Sequence, residues 1–488
     1  MKVAFINHVR MFQINCGLAY IMTATGKHFP VKLIDINGQK SFEEYLKKEL
    51  LKYQPGLICF SVNSFSLQGA LYWAKQCKGI CPKSRIMFGG VHPTLMPEVT
   101  ISSPEVDYIC IGEGEEALVE FLKVCQRNKH AVVPGIWRKD EKGNIVRSQL
   151  RSYIEDLNSV PMLNLDYWDM QKYLNYQTEF GGGLGILSAR GCAYDCNFCS
   201  APALRRKVPG KYYRCRDPKL VAEEIDYQYN RYKHFGIKYL HFDDACFGYD
   251  RQHLKSLAKE LGEKGFPYNL ALTCQSHPEI IDKEWISLVE SIGCKHVAIG
   301  IESGDEYIRR TVHNKNITNK QIDKMIMDLR QSKLLFSFYM ILDAPKENWL
   351  TAMRTFRMLL KVNSTKLLIS FFFPLPGAKA VEKYNIKIPG QDNKQPYFVF
   401  SSFRSKPLGL VSAYVLYKII VFVTKGIYLR QGRFIGDVLK YIFNVRGDRS
   451  VHLFTRTSFP ELYRKTIIQY EMRDHSKSKN KDKYSRQV

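Results

Sequence analysis

Acidic side chains are in short supply: 47 Asp and Glu stand against 72 Lys and Arg in 488 residues, a net charge of +25. The deficit is uneven, since 404–488 carries 18 Lys and Arg against 6 Asp and Glu. Such an imbalance predicts an acidic partner surface, either nucleic acid or anionic lipid. No secretory signal is expected either, because Met1-Lys2-Val3-Ala4-Phe5-Ile6-Asn7 reads as a first strand. The 13 cysteines are odd in number and scattered singly outside one short loop, which argues against a disulfide framework and for a reducing, cytoplasmic setting. The apolar stretch 408–425 has the length of a membrane span, but Lys418 at its middle would cost about 3 kcal/mol on insertion. With 45% hydrophobic and 24% charged residues the chain is globular over most of its length, and it is long enough for two or three domains.

The exception among the cysteines is Cys192-Ala193-Tyr194-Asp195-Cys196-Asn197-Phe198-Cys199, which follows the Gly-rich run 181–187. Soft thiolates suit iron-sulfur clusters. Three sulfurs on one loop can hold three corners of a four-iron cube and leave the fourth iron open. A structural zinc site would be expected to close with a second, paired set of ligands, and no such pair lies nearby.

Cys-x3-Cys-x2-Cys after a strand, with aromatic Phe198 before the last cysteine, resembles the radical S-adenosylmethionine superfamily. The resemblance implies a 4Fe-4S cluster on Cys192, Cys196 and Cys199, whose open iron chelates the amino and carboxylate groups of S-adenosylmethionine. It also implies a deoxyadenosyl radical formed on reduction, and a flavodoxin- or ferredoxin-type electron donor.

Ahead of this loop, 1–140 alternates apolar strands at 3–6, 31–35, 56–61, 85–90 and 108–112 with helices near 17–26, 41–53, 65–79, 95–102 and 115–127. That alternation predicts a Rossmann-like, doubly wound parallel sheet, whose ligands sit beyond the carboxyl ends of the strands. Ser61 and Ser64, Gly89 and Gly90, and Gly112 and Glu113 occupy those ends. The pattern resembles the cobalamin-binding domain found in front of many radical S-adenosylmethionine enzymes, and these six residues are the cobalamin contacts it implies. The loop 7–13 lacks the Asp-x-His-x-x-Gly signature, so the resemblance implies cobalamin with its base displaced and no histidine on cobalt; His8 and His92 are formal candidates only.

Residues 141–180 read as a linker that begins within a small hairpin. From 181 to 375 six further β-α units are expected, with strands at 184–188, 238–244, 268–275, 294–304, 335–341 and 366–373. They fit the partial (β/α)6 barrel typical of the superfamily, with chemistry at the strands' carboxyl ends. By resemblance Asp243 and Asp244 contact the amino group of S-adenosylmethionine, Glu302 and Ser303 its ribose or carboxylate, and Phe198 its adenine. Helix capping for the Asp pair and a turn role for Glu302 are the structural alternatives. The Gly-Pro-Gly-like run expected at the fifth strand is replaced by Leu342-Asp343-Ala344-Pro345-Lys346, and Gln275 and His277 stand where a polar or basic residue is often found. No catalytic residue is assigned, and Cys215, Cys246, Cys274 and Cys294 read as ordinary buried thiols.

Past 376 the alternation stops. Residues 376–472 read as a mostly helical, basic amphipathic region suited to an anionic lipid interface or to capping the barrel, and 473–488 as a disordered tail. The whole is expected to be a cytoplasmic, cobalamin-dependent radical S-adenosylmethionine enzyme that methylates, or cyclises or rearranges, a small substrate, with a lipid-like substrate and a peripheral place on a membrane as the options that the basic region opens. Two rivals are a methylthiotransferase acting on RNA, which would need a second three-cysteine set, and a non-catalytic cobalamin or iron-sulfur regulator.

Overall fold

The computed structural model describes residues 1–9, 14–127, 132–175, 183–266, 270–362 and 366–388. Of the basic amphipathic region expected at 376–472 the described residues include 376–388, with the short helix Lys379–Lys383; the rest of it and the tail at 473–488 lie outside them, as do 10–13 of the first loop, 181–182 and the start of the third barrel strand at 268–269.

Five short apolar runs form the parallel strands β1 (Val3–Asn7), β2 (Val31–Asp35), β3 (Leu57–Ser61), β4 (Arg85–Gly89) and β5 (Tyr108–Cys110). Strand β1 is buried along its whole length, as parallel strands covered on both faces are. It lies between β2 and β3, with Val3 opposite both Val31 and Leu57. The order 2-1-3-4-5 reverses direction between β1 and β3, and that switch point opens a crevice at the carboxyl ends. The hairpin of β6 (Ile136–Lys139) and β7 (Ile145–Val146) pairs antiparallel on β5 and widens this sheet to seven strands. It therefore belongs to the first sheet rather than to the connector. The helix expected at 95–102 is two pieces, Val91–Leu95 and Pro97–Ser102, because Pro97 has no N–H to continue the first and starts the second instead.

The second sheet begins with β8 (Gly183–Ile186). A two-stranded ribbon of β9 (Ala189–Arg190) and β10 (Arg214–Cys215) follows. The sheet continues with β11 (Tyr239–Phe242), β12 (Ala271–Ser276), β13 (Cys294–Glu302), β14 (Leu335–Leu342) and β15 (Lys366–Phe371). All six main strands are parallel, in the order β8-β11-β12-β13-β14-β15. Asp217 caps the helix Pro218–Tyr232 by accepting from the Lys219 N–H at 2.8 Å, with Pro218 at the first position. Along β11 Leu240 and Phe242 are buried beneath the helices, while Tyr239 and His241 alternate toward the barrel interior.

One apolar core runs through both units. Val3, Phe5 and Leu57 on one face of the first sheet join Ile154, Leu163, Leu165, Trp168 and Tyr173 of the connector, and these join Leu184, Ile186 and Leu240 of the barrel. The connector thus fills the junction. Two buried charge clusters lie along it. Glu113, just past β5, accepts from Arg214 at 2.8 and 2.9 Å, from Arg190 at 3.1 Å and from the Ile154 N–H at 2.7 Å. Glu115 takes the other arm of Arg190 at 2.7 Å. Burial pushes the Glu113 carboxyl up, but Arg214 and Arg190 more than offset it and hold it below the usual range. Nearby, Arg216 pairs with Glu224 at 2.5 Å and donates to the Tyr20 hydroxyl of the first unit at 3.2 Å.

Glu113→Ala leaves Arg214, whose side chain is 4% exposed, without its carboxylate. Urea unfolding should therefore show a loss of about 3–5 kcal/mol. Glu98→Ala, which breaks a pair to Arg147 with both side chains about half exposed, should leave the urea midpoint close to that of the wild type.

Candidate active site

Strand β8 delivers the chain to the cysteine loop, and three constraints hold the loop. Asp244, one residue past Asp243 at the end of β11, is buried and accepts from both the N–H and the hydroxyl of Ser188 at 2.7 and 2.5 Å. Gly191 has φ +86°, and a Cβ there would collide with the carbonyl oxygen of Tyr212. On the far side the Asn197 side chain donates to the Val312 carbonyl at 3.0 Å, and the Asn197 N–H to that of His313 at 3.0 Å. The loop then runs into the helix Ala201–Lys207.

Burial pushes all three thiols up, Cys196 to about 12, and the neighbouring thiols of the set push Cys196 and Cys199 further in the same direction. Lys315 works in the opposite direction on all three. Its buried ammonium donates to the Gly300 carbonyl at 2.7 Å and to Glu302 Oε1 at 2.8 Å, and lies 5.7 Å from the centre of the Phe198 ring. A Cβ on Gly300 would meet Glu302 Oε1 at 2.5 Å and Lys315 Nζ at 2.7 Å, so glycine on β13 makes room for the pair. Sequence reasoning missed Lys315: a single lysine in the polar run His313-Asn314-Lys315-Asn316 carries no signal of burial.

Three neighbouring thiols on one loop, Cys196 buried and Cys192 and Cys199 half-buried, are a poor place for free thiolates and a good one for a cationic iron-sulfur core, which takes up their charge. Among the described residues no three His, Cys, Asp or Glu side chains converge as the ligands of one metal ion do. Donors to a cluster bind separate irons and need no such convergence.

The residues expected near S-adenosylmethionine are only partly free to meet it. Asp243 reaches across to the first unit and accepts from Cys16 Sγ at 2.7 Å, with His241 Nε2 3.6 Å away. Burial raises its carboxyl. Asp244 is occupied with Ser188, and Glu302, at φ +67°, with Lys315. Ser303 is buried, its hydroxyl 3.2 Å from that of Thr355. Phe198 stands edge-on to His313 at 5.1 Å. Tyr194 of the loop stacks on His277 at 3.6 Å, and Gln275 donates to the Asp244 carbonyl at 3.1 Å.

At the first sheet Ser64 lies 3.0 Å from His92 Nδ1. Gly90, at φ +101°, could not accept a Cβ, which would meet the Val62 carbonyl oxygen at 2.8 Å. Ser61 and Gly89 pair across β3 and β4 at the mouth of the crevice. Gly112, at φ +88°, lies against Val208 of the barrel unit. Glu113 is engaged by Arg190 and Arg214, so its carboxylate is occupied by the junction. His8 is buried, neutral with its pKa pushed down to about 4, and its Nε2 has no hydrogen-bond partner among the described residues. An imidazole with Nε2 unpartnered among the described residues, just past the strand at the switch point, fits a crevice that receives a ligand at that end of the sheet.

Residues 3–122 match the family described as B12 binding domain, and residues 186–359 the one described as Radical SAM superfamily. An uncharacterised methyltransferase of Pyrococcus horikoshii is 24% identical over 368 residues, 75% of this chain and 77% of that protein. The anaerobic magnesium-protoporphyrin IX monomethyl ester cyclase of Cereibacter sphaeroides is 26% identical over 355 residues, 70% of this chain and 55% of that protein. The solved structure of the radical S-adenosylmethionine methyltransferase TsrM from Kitasatospora setae, with cobalamin and a 4Fe-4S cluster bound, shares the fold: TM-score 0.64 at 19% identity, over 78% of this chain and 76% of that one. A B12-binding domain joined to a radical S-adenosylmethionine domain places this chain among the cobalamin-binding-domain radical S-adenosylmethionine enzymes, whose cofactors are cobalamin, a 4Fe-4S cluster and S-adenosylmethionine.

Proposed function

We propose that the chain methylates carbon on a small, hydrophobic substrate of lipid or tetrapyrrole type. The observation that carries this is the junction. Glu113 joins the carboxyl end of β5 to Arg190 and Arg214, on the ribbon that flanks the cysteine loop, while Cys16 meets Asp243 across the same border. The crevice of the first sheet and the loop of the second therefore open toward one another. When bound, the cluster with S-adenosylmethionine supplies a deoxyadenosyl radical, and cobalamin supplies a methyl group.

In this reading Cys192, Cys196 and Cys199 hold the cluster, and Lys315 eases the loss of their protons by setting a buried positive charge beside them. Asp243, at the mouth, takes the ammonium of S-adenosylmethionine. Asp244 acts at one remove by fixing Ser188, and Glu302 by fixing Lys315. The backbone of Phe198 and the Ser303 turn complete that side. Ser61, Ser64, Gly89, Gly90 and Gly112 line the cobalamin crevice, and Glu113 locks its rim to the barrel. The name of the Pyrococcus horikoshii relative supports methyl transfer, and that of the Cereibacter sphaeroides cyclase a flat macrocyclic substrate. The basic sequence from 404 onward supports work at an anionic lipid surface. Among the described residues no helix is long and apolar enough to cross a membrane.

Anaerobically reconstituted protein given dithionite and S-adenosylmethionine should form deoxyadenosine. Cys192→Ala/Cys196→Ala/Cys199→Ala should form none and lose the cluster's broad visible absorption; a triple variant as active as the parent would sink the assignment. Lys315→Met/Glu302→Gln, which removes the pair without leaving a lone buried charge, should lower iron retention against a chelator or deoxyadenosine yield by about 10–100-fold. Deleting 404–488 should abolish co-sedimentation with anionic vesicles, and unchanged partitioning would count against a lipid-surface substrate.

A further inference from the structure

We propose that a basic hollow on the outer side of the cysteine loop is the docking surface for an acidic, one-electron carrier protein. This rests on the reading above, because a cluster that must be reduced needs a donor. Asn197, between Cys196 and Phe198, is the floor of the hollow. Its side chain and N–H are bonded to the Val312 and His313 carbonyls, and its own carbonyl accepts from the Ala380 N–H at 2.8 Å. The backbone between two of the three cysteines is thus fixed against two outer segments of the barrel unit. Around it lies a cavity of about 770 Å³ lined by Asn197, Arg206, Thr311, Asn314, Lys379, Glu382 and Lys383.

The charge of this wall is lopsided. Arg205, Arg206, Lys379 and Lys383 surround two carboxylates, Asp195 and Glu382. Asp195, itself in the cysteine loop, is shared by Arg205 at 3.2 Å, Arg206 at 3.9 Å and Lys379. Arg206 is 48% exposed, and Lys383 and Glu382 are exposed at the rim. The inner side of the loop is taken: Lys315 and Glu302 pack under Phe198, and Tyr194 stacks on His277. Electron transfer between proteins weakens steeply with distance, so a donor gains most by touching the outer side of the loop itself. Complexes of this kind bury little area and are guided by opposite charge. An acidic carrier meets that condition. The chain's own segment 404–488, with 18 Lys and Arg against 6 Asp and Glu, would be repelled.

The step balances simply. The reduced carrier loses one electron, the iron-sulfur centre held by Cys192, Cys196 and Cys199 gains it, and no bond is made or broken. The probe is fluorescently labelled flavodoxin, titrated anaerobically with the reconstituted full-length enzyme and read by anisotropy at low salt. Wild-type affinity should fall as salt is added, and Arg206→Glu/Lys383→Glu should bind about tenfold more weakly or worse. Lys259→Glu/Lys283→Glu, which reverses two lysines that are each 74% exposed on other helices, should bind as wild type does. Deoxyadenosine formation driven by flavodoxin should drop in Arg206→Glu/Lys383→Glu, while the dithionite-driven rate and the cluster content stay at the wild-type level. Unchanged affinity in that variant, or an equal loss in the control pair, overturns the docking surface. Absence of deoxyadenosine from wild-type enzyme with dithionite would overturn the enzymatic reading instead, and the binding measurement decides the docking surface in either case.

Discussion

The carboxylate of Glu113 is where the two halves of this molecule are made into one. It is 14% exposed, it receives two guanidinium groups and a backbone N–H, and the two arginines sit on the short ribbon that brackets the entry to the cysteine loop. Taking three charges out of water is costly, and the cost is recovered only when the hydrogen bonds are complete. The arrangement therefore has one good geometry and few nearby ones. The end of β5 cannot shift relative to the cysteine loop without stranding Arg214 or Arg190.

Much of the architecture is visible in the sequence because parallel strands buried on both faces read as unbroken apolar runs, and each of 3–6, 31–35 and 56–61 became a strand close to its expected bounds. The capping of the helix Pro218–Tyr232 by Asp217 was equally plain. What stayed hidden is partnership. Glu113 stands at a strand end, where a ligand contact is a fair expectation, yet its partners are 77 and 101 residues away along the chain. Asp244 and Glu302 are polar residues in the expected places, but one serves Ser188 and the other Lys315. Residue type and position can be read from a string of letters; the pairing of buried charges is decided by the tertiary fold.

Lys315 shows the same limit from the other side. Its ammonium is held by the Gly300 carbonyl and Glu302, within electrostatic reach of all three thiols, so a fixed ion pair stands beside them before any cofactor arrives. Preorganised charge of this kind needs no rearrangement when negative sulfur ligands form. Gly300 is part of the device, since any side chain there would occupy the space of the ion pair.

The apolar core that passes unbroken from the first sheet through the connector into the barrel has a consequence for how the molecule moves. Tandem domains with thin borders swing about a hinge, because little is exposed when they part. Here parting would wet Trp168, Leu163 and Leu165 together with the side chains on either side of them. The described body should melt as a single cooperative block.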